Sequence, residues 1–128
     1  MYRVAINGFG RIGRNVLRAF FESDGREFPY EIVAINDLGK AEVNAHLLKF
    51  DTVHGRFNRS VSATANELIV GNQRIAYVSE RDPSRLPWSE LKVDLVLECT
   101  GLFTDRDSAM RHVKAGAKQV LILSLIHI

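Results

Sequence analysis

The residues of this sequence best suited to chemistry are three glycines spaced as Gly8-Phe9-Gly10-Arg11-Ile12-Gly13. In a G-x-G-x-x-G pattern the first glycine permits a tight turn and the second lets main chain approach a pyrophosphate. The third lets a helix pack closely on a strand. The pattern has force only where a strand precedes it and a helix follows. Here the β-forming run of residues 2–7 precedes it, and Val16, Leu17, Phe20 and Phe21 follow at the spacing of one helical face. Arg11 and Ile12 would then offer main-chain N–H groups at the positive end of the helix dipole, where an anion is stabilised. No Gly-Lys-Ser/Thr follows, so this is not a Walker A loop. The plainer alternative is a glycine turn with no ligand.

Asp37 is the second such residue. It closes a second apolar run, residues 31–36, and lies 24 positions after Gly13. A carboxylate at that strand tip can accept hydrogen bonds from adenosine ribose hydroxyls, and its charge would repel a 2′-phosphate. The pair of motifs therefore predicts NAD rather than NADP as cofactor. An Asp that merely starts the next helix is the alternative, and the two roles are compatible. The single cysteine, Cys99, allows no intrachain disulfide and no cysteine metal framework. His46, His54, His112 and His127 show no close pair spacing, so no metal site is expected.

These residues need a scaffold, and the apolar pattern supplies one. Strand, glycine turn, helix and second strand form one crossover unit, and near-continuous apolar strands favour a parallel sheet covered on both faces. A helix is predicted from 40 or 41 to 49, with Val43, Leu47, Leu48 and Phe50 among its apolar positions. A loop follows over 51–57, then a β-meander over 60–78 punctuated by Asn66 and Gly71-Asn72. Residues 81–88 read as loop or short turn. A buried strand over 94–99 and a helix over 105–115, with Thr104 as N-cap, lead to a last strand over 120–123. The expected fold is α/β: a Rossmann-like, doubly wound, mostly parallel sheet with a small antiparallel β insertion.

Composition narrows the class further. With 128 residues, 46% hydrophobic and 25% charged, the chain suits one soluble domain. The net charge of +2 is spread along the sequence, without the basic cluster that a nucleic-acid partner requires. No apolar run reaches the roughly 20 residues of a membrane span. The first residues enter a strand pattern at once rather than a signal-peptide pattern, so a cytoplasmic location is expected.

Six stretches in order carry a more specific resemblance. They are Val4 through Arg14, Ala34-Ile35-Asn36-Asp37-Leu38, Asp51 through Phe57, Glu80-Arg81-Asp82-Pro83, Leu86-Pro87-Trp88 and Glu98-Cys99-Thr100-Gly101. Together they resemble the cofactor half of the glyceraldehyde-3-phosphate dehydrogenase family, over about residues 2–122. The resemblance implies an enzyme that converts an aldehyde phosphate, NAD and inorganic phosphate to an acyl phosphate and NADH. It further implies a phosphorylated aldehyde as substrate and a homotetramer for the full-length protein. It places Gly8, Gly10, Arg11, Ile12 and Gly13 at the pyrophosphate, Asp37 at the adenosine ribose, and Arg81 near the adenine. Thr100 and Gly101 border the cofactor. An erythrose-4-phosphate dehydrogenase is the near alternative. Asp37, Arg81-Asp82-Pro83 and Leu102-Phe103-Thr104 look closer to the glyceraldehyde-3-phosphate enzyme. A non-catalytic nucleotide-binding module is the alternative from another class.

The family's nucleophilic cysteine belongs to a motif that would lie beyond residue 128, as does its histidine. Cys99 matches the Glu-Cys-Thr-Gly strand instead and is expected to be a core residue, leaving this chain without catalytic residues. The pattern breaks after Ile122, where Leu123 through Ile128 depart from the family sequence. The expected organisation is a cofactor domain over 1–122 that is incomplete, a non-native tail over 123–128, and an absent catalytic domain. An inactive fragment arising from a frameshift or assembly artefact is the corresponding expectation.

Overall fold

Apolar, β-rich runs separated by amphipathic stretches build the alternation seen in the computed structural model. It describes residues 2–22, 30–50, 60–100 and 106–123, apart from the side chains of Glu22 and Ser108. Its elements are β1 (Tyr2–Asn7), α1 (Arg11–Glu22), β2 (Tyr30–Asn36), α2 (Ala41–Lys49), β3 (Val61–Ala63), β4 (Glu67–Val70) and β5 (Gln73–Val78). A short 3-10 turn (Pro83–Arg85) precedes β6 (Leu95–Glu98), α3 (Arg106–Lys114) and β7 (Gln119–Ile122). The loop expected at 51–57, the N-cap expected at Thr104, and Gly101 lie outside the described residues.

The strands form one sheet in the order β3-β4-β5-β2-β1-β6-β7. β1 pairs in parallel with β2 and β6, β2 with β5, and β6 with β7. Only β4 runs against its neighbours. The meander is therefore not a wholly separate antiparallel unit: its third strand, β5, joins the parallel sheet beside β2. The chain winds from β1 outward in both directions, to β2 and β5 on one side and to β6 and β7 on the other. Such a reversal opens a crevice at the carboxyl ends of the strands, where open α/β sheets bind ligands.

Alternating side chains divide the core between the two faces. Val4, Ile6, Ile32 and Ile35 pack with Leu17 of α1 and Leu48 of α2, while Ala5, Ala34 and Val96 pack with Trp88, Ala115 and Ala117. On α2 the buried positions are Ala41, Asn44, Ala45 and Leu48, whereas Val43, Leu47 and, just past its end, Phe50 are exposed. Small side chains let the helix lie close to the sheet, so the buried stripe follows spacing rather than hydrophobic bulk.

One irregularity sets up the functional end. Along β1 and β2 the register runs Val4 to Ile32 and then Ala5 to Ala34, so Val33 is an extra residue in β2. A bulge shifts everything beyond it by one position. Asn7 consequently lies beside Asn36 rather than Ile35. At the far edge, the Leu123 N–H donates to the Glu98 carbonyl at 2.8 Å, and its side chain packs against the first core. Residues 124–128 of the expected tail lie outside the described residues. No helix among the described residues is long and apolar enough to cross a membrane.

Candidate functional site

At the carboxyl ends of β1, β2 and β6 the turns diverge around a cleft of about 480 Å³. It is lined by Asn7, Gly8, Gly10 and Thr100 on one side and by Asn36, Asp37, Glu80 and Arg81 on the other. Of the residues singled out from sequence, Gly8, Gly10, Asp37, Arg81 and Thr100 meet there. Arg11 and Ile12 open α1 beside it, and Gly13 lies one step inside the helix.

The three glycines have different surroundings. Gly8 has φ +93°, and a Cβ there would come within 2.8 Å of the Thr100 N. A Cβ on Gly13 would stand 2.4 Å from the Gly8 carbonyl oxygen, so absence of a side chain lets helix meet strand end. A Cβ on Gly10 would meet nothing within 4 Å. Its side faces open space at the cleft, leaving room for a close-lying group. The cradle thus fits a dinucleotide pyrophosphate: packing requires the outer two glycines and leaves the middle one clear. No acidic residue occupies the first turn of α1 itself. The Arg14 guanidinium donates to the Phe9 carbonyl at 3.2 Å and braces the loop.

Asp37 ties the walls together. Its Oδ1 accepts from the Phe9 N–H at 2.9 Å. Its Oδ2 accepts from the Gly39 N–H at 3.0 Å and from Asn44 Nδ2 at 2.8 Å. Tyr77 donates its hydroxyl to the Gly39 carbonyl at 2.6 Å, which fixes the turn after Asp37. Burial pushes the Tyr77 pKa up to about 12; the hydrogen bond with Asn44 opposes it, and the carboxylates Asp37 and Glu42 add to the rise. A carboxylate has about four lone-pair positions. The three bonds to Asp37 therefore leave it capacity for a ribose hydroxyl.

Arg81 is an exposed rim residue on a loop with its own braces. The Asp82 N–H donates to Glu80 Oε1 at 3.1 Å, and Asp82 accepts from the Ser84 hydroxyl and N–H. Those Ser84 bonds, with Arg111 and Arg85 nearby, hold the Asp82 carboxyl below the usual range.

Cys99 borders the cleft but is 6% exposed and belongs to the first core. Burial, and then Glu98 beside it, push its thiol up to about 12. The thiolate is the nucleophilic form, and this surrounding disfavours it.

Sequence reasoning missed the polar cluster beneath the cleft. Asn7, Asn36, Glu98 and His112 are all buried. Asn7 Nδ2 donates to both Glu98 oxygens at 2.7 and 3.0 Å, and Asn36 Nδ2 donates to Asn7 Oδ1 at 2.6 Å. The His112 Nε2 lies 3.2 Å from Glu98 Oε1, and the Trp88 indole donates to its Nδ1 at 3.0 Å. A polar residue closing each apolar strand was the available signal, at Asn7, Asn36 and Glu98. Nothing local pointed to His112, whose partners are supplied by other elements.

The glyceraldehyde 3-phosphate dehydrogenase NAD-binding domain, as a family, matches residues 2–106. The chain is 57% identical over 120 residues to the plasmid-encoded glyceraldehyde-3-phosphate dehydrogenase of Cupriavidus necator, covering 94% of this chain and 35% of that protein. It is 58% identical over 120 residues to the glyceraldehyde-3-phosphate dehydrogenase of Pseudomonas aeruginosa, covering 94% of this chain and 36% of that protein. To the enzyme of that name from Xanthobacter flavus it is 56% identical over 120 residues, with 94% and 35% covered. The chain spans about a third of the length of these relatives.

Proposed function

Given that the chain belongs to the glyceraldehyde 3-phosphate dehydrogenase family through its NAD-binding domain, we propose that its cleft holds the NAD of a phosphorylating dehydrogenase. The single observation that carries the reading is the convergence on one cleft of Asp37 and the clear face of Gly10, the residue that leads into α1. NAD, when bound, supplies the hydride acceptor of the reaction. The chain's residues bind and orient it. Main-chain N–H groups of Arg11 and Ile12 face the diphosphate, and Gly10 permits its approach. Asp37 accepts from the adenosine ribose, with Arg81 at the adenine end and Thr100, followed by Gly101, along the border. The charge of Asp37 disfavours a 2′-phosphate, which selects NAD over NADP.

In the complete protein the substrate is an aldehyde phosphate, oxidised with inorganic phosphate to an acyl phosphate, a step of glycolysis. The nucleophile and its base are supplied from outside the described residues, since Cys99 is buried with a raised pKa. The relatives' names favour glyceraldehyde 3-phosphate as the aldehyde. A cytoplasmic location and a homotetramer belong to the same reading, as does a domain running to about residue 122.

Calorimetric titration of this chain with NAD and with NADP tests the proposal. NAD is expected to bind at least about tenfold more tightly, the weight of one charge-assisted contact. Equal affinities, or no heat with either, would refute it.

A further inference from the structure

We infer that Glu98, His112 and Trp88 form a positioning relay that sets the two walls of the dinucleotide cleft from below. The inference rests on the cofactor reading above and assigns work to residues that do not touch the ligand.

Donor and acceptor roles in the cluster follow from chemistry alone. The indole N–H can only donate, so His112 Nδ1 accepts from Trp88. The remaining proton of neutral imidazole is then on Nε2, which donates to Glu98 Oε1. The 3.5 Å approach of Asn7 Nδ2 to His112 Nε2 is consequently a contact between donors rather than a bond. As a carboxylate, Glu98 can only accept. It collects His112, Asn7 and, at 3.3 Å, the Thr100 hydroxyl. The bonds from Trp88, His112, Asn7 and Thr100 therefore all run toward Glu98.

The chain extends to both walls of the cleft. Thr100 is on one wall. On the other side Asn7 Oδ1 holds Asn36, which grips the main chain of Glu80: Nδ2 donates to its carbonyl and Oδ1 accepts its N–H, each at 2.9 Å. Arg81 is the next residue. Glu98 thus fixes Thr100 directly and the Glu80–Arg81 turn through two asparagines. At the other end, His112 anchors the relay in α3 and Trp88 anchors it in the loop before β6, with the two rings stacked 28° from parallel. Buried charged groups with polar partners are seldom a net source of stability compared with apolar packing. A chain of fixed polarity instead supplies one unique placement for the side chains that end it.

Trp88 is the only tryptophan of the sequence, so its emission reports on the relay. The native chain, Glu98→Gln, His112→Phe and His112→Gln are each titrated with NAD by calorimetry and by tryptophan emission, with melting followed for each. Glu98→Gln turns one acceptor into a donor facing other donors, and an NAD affinity about tenfold weaker is expected. At saturating NAD the Trp88 emission change of the native chain should be absent in that variant. His112→Phe should weaken NAD similarly, whereas His112→Gln, which can still accept from Trp88 and donate to Glu98, should recover most of the affinity. A purely structural role would lower the melting temperature of His112→Gln and His112→Phe without separating their NAD affinities. Should a buried variant not melt cooperatively, Thr100→Val removes the hydroxyl bond to Glu98 and should weaken NAD about threefold.

Variants that bind within twofold of a native chain that itself binds NAD would overturn the relay and leave the cofactor reading standing. A native chain that does not bind NAD would overturn both.

Discussion

The wall of the cleft and its floor are built in contrasting ways. The wall formed by Gly8, Gly10 and the start of α1 is main chain, and its geometry depends on the absence of side chains. The floor formed by Asn7, Asn36, Glu98 and His112 is side chain, buried and joined by hydrogen bonds between elements distant in sequence. The wall shows that the shape of a cleft can be specified by local conformation. The floor draws its partners from three strands and a helix on the opposite face.

The glycines provide the sharpest way to break that contrast. Gly13→Ala puts a Cβ 2.4 Å from the Gly8 carbonyl oxygen, which is backbone and cannot step aside. A loss of more than about 3 kcal/mol of stability is expected, at the severe end for single substitutions. Gly10→Ala meets nothing within 4 Å and should fold with unchanged or slightly raised stability. Its effect belongs to the ligand, with NAD affinity reduced about tenfold because the approach to the diphosphate closes. Urea denaturation and NAD titration of the two variants separate the demands of packing from those of binding. Equal stability losses would mean that the wall is no more than a structural turn.

Asp37 belongs to both regions, since it binds the Phe9 N–H of the wall and the Asn44 side chain of α2. Asp37→Asn keeps its shape and removes its charge. The preference for NAD over NADP should shrink about tenfold, while the melting temperature falls by only a few degrees. Competitive titration with both cofactors reads the ratio. An unchanged ratio would place cofactor choice elsewhere, with Arg81 the next residue to alter.

The smallest effect is in alkaline solution. The Cys99 thiol and the Tyr77 hydroxyl are both raised to about 12 in the folded chain, each first by burial. Their ordinary values are 9.0 and 10.0. The folded state therefore retains protons that the unfolded state releases, so stability falls as pH rises. Their contribution is fully present below about pH 9 and is lost progressively toward about pH 12. Cys99→Ala should delay the onset of this loss to the range where Tyr77 alone ionises. Thermal melts across that window would show identical curves if Cys99 were not buried.

The legible parts of the molecule follow the same division. The glycine spacing, the apolar strands, Asp37 and the order of the elements could be read because each reflects a requirement met within a few residues. Apolar bulk was a poor guide to α2, where Ala41, Ala45 and Leu48 are buried while Val43 and Phe50 stand exposed. The meander was visible as three strands, but not the parallel pairing of its last strand with β2, because a strand's neighbour is chosen by the sheet. The bulge at Val33 was likewise hidden in a continuous apolar run.

By itself the sequence determined where the chain must turn tightly, where main chain is bare enough to meet a phosphate, and which strand tip carries a carboxylate. These are matters of backbone conformation and local periodicity, written in adjacent residues. Only the tertiary structure decided that Asn7 meets Asn36, that Glu98 collects donors from β1 and α3, and that the Trp88 indole meets His112. Burial makes each of those polar groups dependent on a partner far along the chain, and only folding brings such partners together.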